Sequence, residues 1–228
     1  MLKNLKKLVY VANKRLAKLD LTDGLWGHVS GIERERGLLA VKPGDVTCKD
    51  LTPDDMIVID LEGRVIEGEG TPAKDIITHL YVYSKFQSIG SVASLHSPWA
   101  TIFAQAGLPI PAYGITHLEY FKGGIPCTRS LLDEEITAGY ETGIGKVIAE
   151  AFSQYDPAKI PGVLVKNHAP FTWGESPIQA VFHATALEKV AKMAYRTSVI
   201  STALGAQATP VPKAMLEIIS SESEGGIN

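Results

Sequence analysis

The sequence predicts a layered α/β domain, in which helices pack over a central, largely antiparallel sheet. Segments with apolar residues at helical spacing alternate along the chain with short apolar runs that end in turn residues. Several turns between the predicted strands are too short to hold a crossover helix, which favours antiparallel pairs. A chain of 228 residues suits one domain of this kind. We therefore expect a single domain over residues 1–228.

The predicted elements follow in order. Apolar residues between Leu5 and Leu19 recur at helical spacing with lysines between them, which indicates an amphipathic first helix and not a signal peptide. The further predicted helices open at 71–75 and cover 99–106, a region from 132, 142–152, 178–204 and 213–219. Strands are predicted at 38–41, 56–61, 65–68, 91–96 and 161–166.

Composition narrows the function classes. The net charge of −3 gives no electrostatic reason to expect nucleic acid or an acidic membrane as a partner. No segment approaches the run of about 20 apolar residues that a membrane-spanning helix needs. Cys48 and Cys127 have no metal-type spacing, so we expect reduced thiols in a cytoplasmic protein.

Two loops contain candidate binding residues. The glycines beside His28 suit a loop whose backbone approaches a ligand, or equally a simple turn that leads into a strand. Lys42 beside the turn at Gly44 could hold a phosphate as a point charge, although this is also the composition of an exposed turn.

Five residues in three segments are candidates for a reactive centre. Asp75 and His79 are i,i+4 on a predicted helix and can point into one site, but an acid in a first turn is more often a partner of the helix dipole. In the small, apolar strand at 91–96, Ser94 and His96 point to one face. His168 follows a buried strand, where a histidine belongs either to a site or to a hydrogen-bonded turn.

Several of these segments, taken together, resemble a known family, the L-ribulose-5-phosphate 4-epimerases of the class II sugar-phosphate aldolase superfamily. The segments that carry the resemblance occur in the expected order: Trp-Gly-His-Val-Ser at 26–30, Lys-Pro at 42–43, Thr-Pro-Asp-Asp-Met at 52–56, Thr-His-Leu-Glu-Tyr-Phe at 116–121, Ile-Pro-Cys-Thr-Arg at 125–129, Pro-Gly-Val-Leu-Val at 161–165 and His-Ala-Pro-Phe-Thr-Trp-Gly at 168–174. The match extends to about Met193, and the resemblance implies one layered α/β/α domain over residues 1–228 with a tail that diverges from about residue 205.

The resemblance implies a homotetramer with active sites at subunit boundaries and a zinc ion held by three histidines and an acid. The acid corresponds to Asp75 and two of the histidines to His96 and His168, but the third falls on Ser94. Serine is a poor zinc ligand, so we expect weaker binding of zinc or of another divalent metal. The implied reaction breaks the C3–C4 bond of a phosphorylated keto sugar and re-forms it on the other face, which inverts C4.

The resemblance also assigns substrate and acid/base positions, with departures. The catalytic aspartate of the family is Glu119 here, and its substrate-binding asparagine is His28. Its phosphate-binding serines correspond to Gly44, Ala73 and Lys74. A histidine and a tyrosine in the family's tail align by length with Met215 and Gly226. The residues expected at the substrate are therefore Gly27, His28, Lys42, Gly44, Asp45, Ala73 and Lys74.

Two hypotheses follow. The first is an enzyme, an isomerase of the L-ribulose-5-phosphate 4-epimerase type or a retro-aldolase on a related keto sugar, with Glu119 as acid/base. The second is a catalytically impaired homologue that keeps the fold and the oligomer. Retention of Asp75, His96, His168 and Glu119 favours the first. The departures at Ser94, Ala73, Met215 and Gly226 favour the second.

Overall fold

The computed structural model describes residues 2–224, with side chains through Ile219, as a seven-stranded sheet that has helices on both faces. The helices are α1 (Lys3–Lys18), α2 (Ile76–Lys85), α3 (Pro98–Ala106), α4 (Ile115–Leu118), α5 (Asp133–Ala151), α6 (Pro177–Ala203) and α7 (Lys213–Glu224). The strands are β1 (His28–Glu33), β2 (Leu38–Val41), β3 (Ile57–Asp60), β4 (Val65–Glu67), β5 (Ser91–Ser94), β6 (Gly162–Leu164) and β7 (Pro170–Gly174).

The sheet has the order β4-β3-β2-β1-β5-β7-β6, and all of its neighbouring strands are antiparallel. The predicted fold class is thus confirmed. The central pair is β1 with β5, in which His28 lies opposite Ser94 and Gly31 opposite Ser91. This register brings the first residue of β1 beside the last residue of β5.

Helices cover the two faces of the sheet with separate cores. On one face, Ala12 of α1 and Ala180 of α6 pack against Ala93 of β5. On the other face, Ile76 of α2 and Ile144 of α5 belong to the core that contains Val92. Because strand side chains alternate, Ser94 lies on the face of Val92, beneath α2.

The predicted helix boundaries agree with the structure at α1, α3 and α6. The expected helical start at 71–75 was wrong, because α2 begins only at Ile76. The preceding segment is extended: Pro72 bridges Pro43, and the N–H of Gly44 donates to the carbonyl of Thr71 at 2.8 Å. The helical region from 132 and the helix at 142–152 form one run, α5, that is interrupted at Gly139.

The C-terminal part of the described chain holds the long helix α6 and the shorter α7. The helix predicted at 213–219 is present and extends to Glu224. None of the helices within residues 2–224 is long and apolar enough to cross a membrane.

Candidate active site

A cavity of about 750 Å³ opens beside α2 and the ends of β5 and β6. Asp75, His96 and His168, which the sequence predicted as metal ligands, all line it. The other lining residues are Leu25, Trp26, Gly44, Asp45, Gly70, Thr71, Pro72, Ala73, Lys74, Tyr140, Glu141 and Ile144. The structure thus brings together three groups that are separated by up to 93 positions in the sequence.

Asp75 is the N-cap residue of α2, but its carboxylate makes no cap hydrogen bond. Its Oδ2 instead accepts a hydrogen bond from Ser94 Oγ at 2.9 Å and lies 3.2 Å from Nδ1 of His28. Burial opposes ionisation of this carboxyl, yet His28 and the hydrogen bond from Ser94 prevail and hold its pKa well below the usual range. The carboxylate therefore belongs to the site, and the helix dipole does not explain its position.

His28 is the first residue of β1, so the glycine-flanked segment is a turn that leads into a strand. Its ring is buried and stacks on the ring of His79, with centroids 4.5 Å apart. The residue does not line the cavity and contacts Asp75 from the sheet side. The structure thus gives His28 a place behind the carboxylate, whereas the sequence predicted direct contact with substrate.

His79 continues this buried polar cluster along α2. Its Nδ1 lies 2.8 Å from Ser30 Oγ, which in turn lies 2.9 Å from the hydroxyl of Tyr83. Burial, together with the neighbouring His28, lowers the pKa of His79 to about 3, so its ring is neutral at pH 7. The ligand atoms of His28, Asp75 and His79 all lie within 4.8 Å of one another, which makes this a histidine–carboxylate cluster with metal-type spacing.

The backbone fixes the two cavity histidines. The N–H of His96 donates to the carbonyl of Leu21 at 3.0 Å. The helix that follows His96, α3, is held at its start by the carboxylate of Glu188, which accepts from the N–H groups of Trp99 and Ala100. His168 lies in the turn between β6 and β7, with its N–H bonded to the carbonyl of Val165.

The two cavity rings approach each other edge to face, with centroids 5.9 Å apart. Burial lowers the pKa of both histidines, and in His168 the neighbouring His96 lowers it further. Nδ1 of His168 is buried without a hydrogen-bond partner. Neutral imidazoles are the form that a metal ion requires.

The rim of the cavity contains the predicted phosphate positions. Gly44 packs so closely on the neighbouring loop that an added Cβ would lie 2.9 Å from Cα of Ala73. Lys74 and Asp45 are exposed beside them. This rim therefore offers one lysine side chain and a backbone turn.

Three predicted site residues lie outside the cavity. Lys42 is buried, and its Nζ donates to the carbonyls of Pro43 at 3.0 Å and Val46 at 2.7 Å. Gly27 is buried next to Ser94, and its carbonyl accepts from the thiol of Cys48. Glu119, at the end of α4, is exposed and does not line this cavity.

The structure adds residues that sequence reasoning did not assign to the site. Trp26 is 66 % exposed at the rim, with its ring centroid 6.2 Å from that of His96. Tyr140 meets His168 edge to face at 6.0 Å, and Glu141 follows it in the lining. Trp26 precedes the Gly27-His28 segment directly, and this position in the sequence could have identified it as a site residue. Tyr140 comes just after the break in α5, which the sequence did not locate.

The tail supplies no group to this cavity within the described chain. Met215 of α7 is exposed and does not line it. Gly226, the other aligned tail position, lies outside the described residues.

Comparisons with known proteins show the family of this chain. The family model described as "Class II Aldolase and Adducin N-terminal domain" matches residues 7–195. Among curated proteins, the L-ribulose-5-phosphate 4-epimerases UlaF of Salmonella paratyphi C (strain RKS4594) and Salmonella choleraesuis (strain SC-B67) are each 45 % identical over 203 residues, which is 89 % of this chain and 89 % of theirs.

Solved structures share the fold at lower identity. An L-fuculose 1-phosphate aldolase superposes with a TM-score of 0.79 at 21 % identity, over 97 % of this chain and 96 % of that one. The L-fuculose-1-phosphate aldolase from Thermus thermophilus gives 0.69 at 17 %, over 88 % and 98 %. The extent of the family match and the identity to the curated relatives place this chain in the class II aldolase and adducin N-terminal domain family.

Proposed function

We propose that this protein is a metal-dependent sugar-phosphate epimerase that inverts C4 of L-ribulose 5-phosphate. The observation that carries the proposal is the single cavity lined by Asp75, His96 and His168. The 45 % identity to proteins named L-ribulose-5-phosphate 4-epimerase supports the substrate. A homotetramer in the cytoplasm is part of the same proposal.

The donor types in the cavity suit a divalent metal, although among the described residues only His28, Asp75 and His79 already have all their ligand atoms within 4.8 Å of one another. The proposed set contains one ionised carboxylate and two neutral imidazoles, and Nδ1 of His168 is buried without a hydrogen-bond partner. Two histidines and one acid, with open positions for water or substrate, are a known catalytic zinc set. Asp75, His96 and His168 would hold the ion, and the ion would supply positive charge beside the carbonyl oxygen of the sugar.

Other residues at the cavity would bind the phosphate and the sugar of the substrate. Lys74 is the cation on the cavity rim, so we propose that it binds the phosphate, with N–H groups of the Gly44 turn beside it. The exposed ring of Trp26 and the ring of Tyr140 form apolar walls for the sugar. Lys42 would stabilise the same loop, because its buried Nζ donates to two carbonyl groups of that loop.

Glu119 requires a second copy of the chain for its proposed role. It is exposed and lies outside the cavity of its own chain, so we propose that it moves a proton at the substrate in the cavity of a neighbouring subunit. Mixing subunits tests this point, because Asp75→Asn and Glu119→Gln would impair different cavities. Co-assembled tetramers would regain part of the activity that each variant alone lacks, and failure to regain any would exclude the shared site.

The direct test uses metal-free protein, to which zinc or manganese is added before L-ribulose 5-phosphate. We expect metal-dependent formation of the C4 epimer, lost in His168→Asn and kept in His117→Asn. His117 is a suitable control because it is a buried histidine that bonds the carbonyl of Gly123, away from this cavity. Absence of both metal uptake and turnover would overturn the proposal.

One observation favours retro-aldol cleavage as a second candidate. No histidine follows His183 and no tyrosine follows Tyr195, so the tail lacks the acid/base groups that the family resemblance places there. Cleavage needs no proton transfer on the rotated aldehyde, and epimerisation does. Release of free glycolaldehyde phosphate in the same assay, without the C4 epimer, would identify this reaction.

A further inference from the structure

The positions 28 and 94 face each other across the centre of the sheet. His28 and Ser94 are directly paired in the antiparallel register of β1 and β5. Side chains of such pairs share one face, with Cβ atoms about 4.5–5.5 Å apart. Here that face lies beneath α2, where Asp75 is located.

The ring of His28 fills the space in front of Ser94. Its Nδ1 lies 3.2 Å from Asp75 Oδ2 and 3.4 Å from Ser94 Oγ, and its face stacks on His79 at 4.5 Å. His28 is 1 % exposed and His79 is fully buried. The ring is therefore enclosed between Ser94, Asp75 and His79, away from solvent.

Ser94 is also fully engaged at its present size. Its Oγ accepts from the backbone N–H of His28 at 3.2 Å and donates to Asp75 Oδ2 at 2.9 Å. A hydroxyl fits between the strand and the carboxylate. A second imidazole at this position would meet the ring of His28.

We propose that positions 28 and 94 together determine cation binding, because the space between them holds only one imidazole ring. In this chain His28 occupies that space and orients the carboxylate of Asp75. Hydrogen bonds to a metal-ligating carboxylate fix its orientation, and the loss of such a partner commonly costs 10–100-fold in metal affinity. His28 is accordingly a positioning residue, and its ring prevents position 94 from acting as a ligand.

This inference rests on the proposed cation site, but a mutant cycle separates the two. Zinc affinity is measured by competition with a chromophoric chelator for the wild type, His28→Asn, Ser94→His and the double variant. We expect Ser94→His alone to stay within about threefold of the wild type and His28→Asn to bind about tenfold more weakly. The double variant should bind at least about a hundredfold more tightly than Ser94→His, because the new ring then has space.

A small ligand at position 94 provides the matched comparison. A thiol is close to a hydroxyl in size, so Ser94→Cys should raise zinc affinity at least about tenfold with His28 still in place. The visible absorption of bound cobalt(II) reports whether the thiolate is a ligand. This variant also serves if the Ser94→His chain fails to fold, and His117→Asn controls for the loss of a buried histidine.

The outcomes are distinguishable. If the wild type binds no zinc but the double variant does, the proposed metal dependence fails and the coupling stands. If Ser94→His alone gains as much affinity as the double variant, or if Ser94→Cys gains none, the coupling is wrong whatever the wild type binds.

Discussion

Lys42 provides a sharp test of how the loop after β2 is built, because the structure buries a residue that the sequence predicted to contact substrate. Its side chain is 1 % exposed, and Nζ donates to the carbonyls of Pro43 and Val46. Burial lowers the pKa of this lysine. The substitution Lys42→Met keeps the length of the stem and removes both donors.

The magnitude follows from the two hydrogen bonds. A hydrogen bond from a charged donor contributes about 1.5–3 kcal/mol, and each carbonyl left unpaired in the interior costs about 1–3 kcal/mol. Removal of the buried charge offsets part of this loss. We therefore expect Lys42→Met to lower the free energy of unfolding by about 2–4 kcal/mol, measured by urea unfolding followed by circular dichroism.

Lys74→Met is the matched control, because Lys74 is exposed on the cavity rim. Its unfolding free energy should stay within about 0.5 kcal/mol of the wild type, while its affinity for the sugar phosphate falls by about 10–100-fold as a charge-assisted contact is lost. The reasoning would be refuted if Lys42→Met left stability unchanged and weakened phosphate binding more than Lys74→Met.

Three further predictions concern stability and the cavity rim. The pKa of His79 is about 3 in the folded chain and about 6.5 in the unfolded one, so the unfolded state takes up a proton first as pH falls. The free energy of unfolding should therefore drop by about 2 kcal/mol between pH 7 and pH 5 in urea titrations. Equal urea midpoints at the two pH values would contradict this. Gly145→Ala places a Cβ 2.6 Å from Tyr81 Cβ where α5 packs on α2, which should cost about 1–3 kcal/mol; Gly114→Ala, in open space, should unfold like the wild type. Trp26→Ala should raise KM for the sugar about three- to tenfold with kcat and stability nearly unchanged; an unaltered KM would remove Trp26 from the substrate wall.

Local patterns were sufficient to predict the fold, whereas the grouping of Asp75, His96 and His168 was predicted from the family resemblance. Alternation in the strand that ends at Ser94 placed that residue and His96 on one side, and the structure has Ser94 bonded to Asp75 and His96 in the same cavity as Asp75. His168 follows its strand as expected. The alternative that Asp75 is only a partner of the helix dipole does not hold, since its carboxylate accepts a hydrogen bond from Ser94 of β5.

The remaining features depend on long-range geometry that local patterns do not contain. The pairing of His28 with Ser94 follows from a strand register across 66 positions. The Lys42 side chain is buried because the carbonyls of Pro43 and Val46 in the following loop accept its hydrogen bonds. The exposure of Glu119 results from the short helix α4, and the sequence indicated only an acid among aromatic residues.

The most direct test of the account is the position of the metal. Crystals grown with zinc and measured at the zinc absorption edge should give one anomalous peak per chain in the cavity, among Asp75, His96 and His168. A peak between His28 and His79, or no peak near Asp75 at saturating zinc, would contradict the proposed ligand set.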